Sequence, residues 1–258
     1  MSDDETLVTP SAVPELRAVT SAPHRPPWTA PPDGAYTGPV PARANGRHLS
    51  ILSRRAGRLH VLDWGCGPAA YREPVRDRLG HRYVGVDVAG DAADVRADAH
   101  ALPFRSASFD HVITNAVLEH VADPVVAVQE IARVLRAGGM FTGSTAFLEP
   151  YHANSHFHLA PDGVVRVLTA GGLSVEAIWP QEHWLVYDSL ATMPGPVSGP
   201  SRWLLRRIAS FERFVRGRRL HPRELASGRW LRRASGEARH EELLTVAGQI
   251  DFVARKRA

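Results

Sequence analysis

Cysteine and lysine are almost missing from this 258-residue chain: Cys66 is the one thiol and Lys256 the one lysine. A single cysteine excludes an internal disulfide framework and any zinc site built on paired cysteines, leaving histidine and carboxylate sites open. No apolar run approaches the ~20 residues that cross a bilayer, so a membrane-spanning helix is not expected. The opening Met1-Ser-Asp-Asp-Glu5 is acidic and no apolar stretch follows it. A secretory signal is therefore not expected, and the cytoplasm is the expected compartment.

The basic charge is almost entirely arginine, in a chain rich in Ala, Gly and Pro. This skew reads as a GC-rich coding bias rather than as a nucleic-acid surface, and no nucleic-acid partner is expected. Its location says more than its total. Residues 200–258 hold 15 basic and 6 acidic side chains, and residues 1–199 are net acidic. Length alone permits one enlarged domain or two small ones. Residues 1–41 contain 9 of the 20 prolines and few clustered aliphatics, the composition of a disordered arm. Trp28 and Tyr36 are its anchors if it folds over a ligand.

Beyond that arm, short apolar runs alternate with helical stretches and Gly/Asp turns, as in a parallel α/β sheet. Strands are expected at Leu59–Trp64, Tyr83–Val88, Val95–Ala97, His111–Thr114, Met140–Thr145 and Leu173–Trp179. Asp123-Pro124 supplies a cap and a first-turn proline, and Val121, Val125, Val128, Ile131 and Leu135 repeat at helical spacing, with Gly138-Gly139 as the expected stop of that helix. A second helix is expected over Asp162–Ala170. The alternation in Gln249–Arg255 predicts a last strand, antiparallel and at or near the sheet edge.

Residues 180–247 then form a helical insertion before that strand, a lid or substrate-binding segment within one domain spanning 42–258. Within it, Leu204, Ile208, Phe211 and Val215 share one helical face, opposite Arg202, Arg206, Arg213 and Arg216. Packing of the apolar side on the domain is the plain expectation. Peripheral membrane contact through 202–219 is the alternative, because interfacial helices have this make-up.

The strongest local signal is Val61-Leu-Asp-Trp-Gly-Cys-Gly-Pro-Ala-Ala70, a buried strand running into a Gly-x-Gly turn and then a helix opened by Pro68. Glycines there let a ligand approach the backbone, and the following N–H groups are free to bind it. Gly65-x-Gly67-x-x-Ala70 with Asp87 about 20 residues on also fits a dinucleotide fingerprint. Asp63 argues against that reading, since a carboxylate beside a pyrophosphate repels it by roughly 4 kcal/mol at ~4 Å and an effective dielectric of ~20. A phosphate-free ligand with a cationic amino-acid end is attracted instead.

S-adenosylmethionine is such a ligand, and the sequence resembles the class I S-adenosylmethionine (SAM)-dependent methyltransferases, in particular the small-molecule group related to UbiE (methyltransferase type 11). The resemblance rests on six segments in family order over about residues 45–180. They are Val-Leu-Asp-Trp-Gly-Cys-Gly (61–67), Tyr-Val-Gly-Val-Asp (83–87), Ala-Asp-Ala-His-Ala-Leu-Pro-Phe (97–104), Ser-Phe-Asp-His-Val-Ile-Thr-Asn (108–115), Leu-Glu-His-Val (118–121) and Arg-Val-Leu-Arg-Ala-Gly-Gly (133–139).

The resemblance implies a Rossmann-like α/β fold, a mostly parallel seven-stranded sheet with the helical insertion before its last strand. It implies that Asp63, Gly65, Cys66 and Gly67 surround the methionine part of S-adenosylmethionine. Asp87, followed by Val88, accepts from the ribose hydroxyls, and Asp98 with Ala99 receives the adenine. Asn115-Ala116 lies beside the sulfonium, and His120 is a further cofactor contact. Ala69 stands where the family often has a third glycine, which bears on cofactor affinity.

Methyl transfer needs alignment, exclusion of water and, for a hydroxyl acceptor, a base. The segment Glu149-Pro-Tyr-His-Ala-Asn-Ser-His-Phe-His158 follows a strand end, where open α/β sheets bind ligands. His152 is the first candidate base and His156 the second. Glu149, His152, His156 and His158 as a divalent-metal set is a weaker alternative, and no metal is expected. The expected function is methylation of a hydroxyl, before an amine, on a small molecule such as a bacterial specialised metabolite or sugar. The alternatives are a non-methylating relative of the fold, cyclase-like or a binding module, and an NAD-dependent oxidoreductase.

Overall fold

The β-strand signal at 60–64 arises from Val61, Leu62 and Trp64, which are buried with Asp63, and in the computed structural model this strand lies inside the sheet with a neighbour on each side. The structure describes residues 36–152, 154–181, 184–192, 199–216 and 245–257. Trp28, most of the proline-rich arm and residues 217–244 of the insertion lie outside the described residues.

The elements, in chain order, are α1 (Gly46–Ser53), β1 (His60–Trp64), β2 (Arg82–Asp87), β3 (Val95–Arg96), β4 (Phe109–Thr114), α2 (Pro124–Val134), β5 (Leu135–Ala146), α3 (Pro161–Ala170), β6 (Leu173–Pro180), α4 (Val186–Thr192), α5 (Gly199–Arg216) and β7 (Gln249–Lys256). The seven strands form one sheet in the order β3-β2-β1-β4-β5-β7-β6. β1 to β5 pair in parallel, and β7 runs antiparallel between β5 and β6. The last strand is thus next to the edge and antiparallel, as its alternation predicted. The chain reverses direction only there, so the carboxyl ends of β1, β2, β4 and β5 open on one side.

Burial explains the order. Leu62, Val112 and Phe141, on adjacent strands, are fully buried and share one core with Val128, Ile131 and Val134 of α2 and Val164 and Leu168 of α3. On the other face Leu49 and Leu52 of α1 pack with Val61, Tyr71, Val75 and Ile113. At ~25 cal/mol per Å² of apolar area, each such Leu or Ile contributes about 1.5–3 kcal/mol, so helices on both faces hold the sheet.

Three local expectations are corrected. The α2 helix keeps its predicted start, with the Asp123 carboxylate accepting from the Val125 and Val126 N–H groups, but it ends at Val134 rather than at the glycine pair. Leu135, fully buried, is already paired with Phe109, and the register shifts before Met140 meets His111. Gly138, at φ +72, lies within that irregularity. Sheet pairing outcompetes the helical period of the side chains. Pro68 likewise opens no helix: Ala69 is left-handed at φ 56, which breaks helical geometry. Turns follow as far as Tyr71, with a short wide-turn helix at Pro74–Arg78.

The third correction concerns α5. Ala209 is its fully buried residue, whereas Trp203, Leu204 and Phe211 are 61%, 53% and 63% exposed. Leu204 and Phe211 of the apolar stripe read from the sequence thus face outward, and Ile208 is half-buried. The helix packs against α4 and buries Ala209, a small residue that permits close approach.

Candidate functional site

Two cavities lie at the carboxyl ends of the parallel strands, and they share Gly65 and Ala116. The first, of about 420 Å³, is lined by Asp63, Cys66, Gly67, Tyr71 and Asn115, by Ala42-Arg43-Ala44 before α1, and by Gln181, Trp184 and Gln249. The second, of about 480 Å³, is lined by Asp87, Val88, Asp98, Ala99, His100, His120 and His156, with Trp64, Val86, Val117 and Val121 as its apolar wall. Both volumes fall within the roughly 300–1,000 Å³ of small-molecule sites.

The turn between them is built by backbone geometry. Gly65 (φ +70) and Gly67 (φ +49) adopt left-handed conformations that only glycine takes without strain. The N–H groups of Gly65 and Cys66 both donate to the Val86 carbonyl, at 2.8 and 3.0 Å, which ties the turn to the end of β2. A Cβ at Gly65 would sit 2.2 Å from Val117 Cγ2, whereas a Cβ at Gly67 would meet nothing within 4 Å. Thus Gly65 is required by packing, and Gly67 leaves space on the cavity side. Ala116, also left-handed at φ 56, places its neighbour Asn115 with Oδ1 accepting from Ser144 Oγ at 2.5 Å.

Each cavity carries acid. The Asp63 carboxylate is 2% exposed and accepts from the Tyr83 hydroxyl at 2.6 Å. Burial raises its pKa to about 7 against the Tyr83 hydrogen bond, and the nearby Asp87 charge adds to the rise. A cation beside it would restore the ionised form. Asp87 Oδ2 accepts from the Gly67 N–H at 2.8 Å and Oδ1 from the Ala89 N–H at 3.1 Å. Each oxygen retains a second acceptor site.

Asp98 Oδ1 takes both the backbone N–H of His100 and His100 Nδ1, at 2.8 and 2.6 Å. His100 Nε2 in turn accepts from the Asp123 N–H at 3.0 Å, so Nδ1 carries the proton. These His100 bonds, the backbone one first, hold the Asp98 carboxyl below its usual range. Its Oδ2 is left to a ligand.

This arrangement fits S-adenosylmethionine on the criterion of the donor set itself. A nucleoside-sized lobe with two carboxylates meets, at a glycine, a second lobe with a buried carboxylate. The structure brings together all eleven residues expected at the cofactor. Asp63, Cys66, Gly67 and Asn115 line the first lobe, Asp87, Val88, Asp98, Ala99 and His120 the second, and Gly65 and Ala116 both.

The two expected bases fare differently. His156 lines the second lobe, its backbone N–H donating to the Glu119 carbonyl at 2.6 Å. His152 lines neither lobe. Its Nδ1 is 2.9 Å from the Pro150 carbonyl and its Nε2 3.6 Å from Glu149 Oε2, and its ring stands edge-on to His120 at 5.3 Å. The four-residue metal set around His156 and His158 is not what assembles. Among the described residues the metal-capable group is Glu119, His120 and His152.

Arg43, Tyr71, Gln181, Trp184 and Gln249 went unread because they come from four separated segments, with no spacing to connect them. Tyr71 is fixed from another direction, its hydroxyl accepting from the Asn45 N–H at 2.8 Å. Trp184 Nε1 donates to Glu149 Oε1, which anchors the start of the insertion beside the histidine segment.

Comparison with known proteins gives the same direction. Residues 62–142 match the methyltransferase domain family. An uncharacterized chloroplastic methyltransferase of Arabidopsis thaliana is 33% identical over 115 residues, 40% of this chain and 33% of that protein. The ubiquinone biosynthesis O-methyltransferase of Cereibacter sphaeroides is 35% identical over 107 residues, 36% of this chain and 43% of that protein. The chain therefore spans less than half the length of these curated relatives. Among solved structures, geranyl diphosphate C-methyltransferase from Streptomyces coelicolor A3(2) superposes with a TM-score of 0.51 at 18% identity, covering 82% of this chain and 77% of that one. A chain from the complex of the Haloferax volcanii Trm112 methyltransferase activator with a methyltransferase gives 0.53 at 19%, covering 82% and 88%. Identities this low speak for the fold alone. The chain thus has a Rossmann-like, mostly parallel seven-stranded fold, within which residues 62–142 are similar to the methyltransferase domain family.

Proposed function

We propose that this protein methylates a small molecule from S-adenosylmethionine, on an oxygen in preference to a nitrogen. The observation that carries the reading is the meeting of two acid-bearing lobes at Gly65 and Ala116, where a nucleoside and an amino-acid end can be held at once. When bound, the cofactor supplies an electrophilic methyl group. Asp87 would hold the ribose hydroxyls, Asp98 with Ala99 the adenine, and Asp63 with the Gly65–Gly67 turn the ammonium end. Asn115 and Ala116 would border the sulfur.

The acceptor would enter the first lobe, whose outer wall is Arg43, Tyr71, Trp184 and Gln181. Trp184 opens the 180–247 insertion, which supports its assignment as a lid over the substrate. For an oxygen acceptor a proton must leave; of the two expected bases only His156 lines either lobe, the nucleoside one, so it takes the proton only if the acceptor reaches across the Gly65–Ala116 junction. The similarity to ubiquinone biosynthesis O-methyltransferases supports an oxygen acceptor. The arginine-for-lysine composition supports a bacterial specialised metabolite or sugar.

Calorimetric titration with S-adenosylmethionine tests the first step. Release of S-adenosylhomocysteine against a panel of phenolic and sugar hydroxyls tests the second. Tight binding of NADH in place of the sulfonium would reject the reading, and cofactor binding without any turnover would leave only a fold relative.

A further inference from the structure

We propose that Glu119, His120 and His152 form a binding site for one divalent transition-metal ion of the zinc class, at the rim of the nucleoside lobe. Glu119 and His120 sit on the single helical turn after β4, and His152 on the segment after β5, so the sheet brings together groups 32 residues apart in sequence. One ligand atom from each lies within 4.8 Å of the others.

The carboxylate is the unusual member. Glu119 is fully buried; Oε2 accepts from Thr145 Oγ1 at 3.0 Å, while Oε1 has no hydrogen-bond partner among the described residues. An unpaired buried carboxylate oxygen costs several kcal/mol unless it is protonated or matched by a cation.

The imidazole of His152 is already set as a ligand. Its Nδ1 faces the Pro150 carbonyl at 2.9 Å, a contact that only an N–H can satisfy, so Nε2 carries the lone pair. That nitrogen lies 3.6 Å from Glu149 Oε2, which is too long for a hydrogen bond but places a second carboxylate beside the group. Glu149 is held from behind by Trp184 Nε1. Thr145 and the Pro150 carbonyl are the outer partners that orient ligands in metal sites.

Two imidazoles with a carboxylate select a borderline-soft ion over magnesium or calcium, which favour all-oxygen shells. Binding would draw the nitrogens to about 2.0–2.1 Å from the ion and so fasten the 149–158 segment, with His156, to the sheet. The Nε2 lone pair of His152 cannot serve both as a ligand and as a general base. Its absence from the cleft lining therefore has a use.

The site stands apart from the methyl-transfer reading, because its test reads metal and not turnover. The full chain, stripped with chelator, is titrated with ZnCl2, with CoCl2 followed by visible absorbance, and with MgCl2. One equivalent of zinc is expected, together with a cobalt d–d band, and no comparable uptake of magnesium. His152→Ala removes a partly exposed ring and Glu119→Gln keeps the buried shape. Each should weaken zinc binding by more than the roughly 10–100-fold typical of an outer-shell change, and His156→Ala should not. Far-UV circular dichroism reports folding, and if Glu119→Gln fails to fold, His152→Ala decides. No stoichiometric uptake by the wild type, uptake undiminished in His152→Ala, or a preference for magnesium would each overturn the proposal.

Discussion

Two glycines two residues apart should respond to the same substitution in opposite ways. Gly65→Ala places a methyl 2.2 Å from Val117 Cγ2 and 3.0 Å from Cγ1, at φ +70. The left-handed conformation costs about 1–2 kcal/mol and the overlap about 1–3, against a gain of about 0.4–1 from the stiffer unfolded chain. The net loss is about 2–4 kcal/mol, a fall in Tm of roughly 5–15 °C for a domain of this size. Gly67→Ala, at φ +49 with nothing within 4 Å, loses only about 1 kcal/mol or less. Its methyl projects from the lining of the amino-acid lobe, so it should weaken cofactor binding instead. Differential scanning calorimetry and cofactor titration on both variants give the crossed result. Val117→Ala removes the two colliding methyls and leaves a Cβ at 3.2 Å, so it should return about 0.5–3 kcal/mol to Gly65→Ala as a coupling energy. Equal loss of stability in the two single variants, or zero coupling in the cycle, would refute the packing argument.

Asp87→Ala removes the acceptor for the Gly67 N–H and the proposed ribose contact. Hydrogen bonds to a charged group contribute about 1.5–3 kcal/mol, so cofactor affinity should fall by roughly 10–150-fold, and unchanged binding would discard the assignment. His156→Ala should lower turnover by about 10²–10⁴-fold, far more than it weakens cofactor binding in the lobe it lines, measured as kcat against Kd. Asp251, buried against Asn45 and His48, has its carboxyl raised from 3.8 to about 7 by desolvation. The folded state then holds a proton that the unfolded chain has released, so its stabilising contribution is full below about pH 4 and declines as pH rises to 7. Buried His48 and His111, lowered to about 3, act in the opposite sense. Asp251→Asn deletes only the declining part. Denaturation at pH 5 and pH 7.5 should show the variant gaining on the wild type with pH, by at most about 2.5 kcal/mol. A gap that widens with pH would reverse the sign and reject the account.

The sequence determined the strands, the capped start of α2, the antiparallel last strand and the eleven residues proposed around the cofactor. The elements follow from short-range rules, apolar period and Asp-Pro capping, whereas the eleven residues are what the resemblance of the six segments implies. Where long-range pairing competes with local preference, the tertiary structure decided. Leu135 has a helical period but joins β5 because a sheet position buries it completely. Pro68 could begin a helix, but the turn that reaches Val86 holds Ala69 left-handed. Leu204 and Phe211 of α5 face outward, while the helix packs against α4 and buries Ala209. The different fates of His152 and His156 were likewise decided in three dimensions. They are four residues apart in a segment with no regular period, so which of them lines the nucleoside lobe and which ring stands beside His120 depends on how that segment folds back on the sheet.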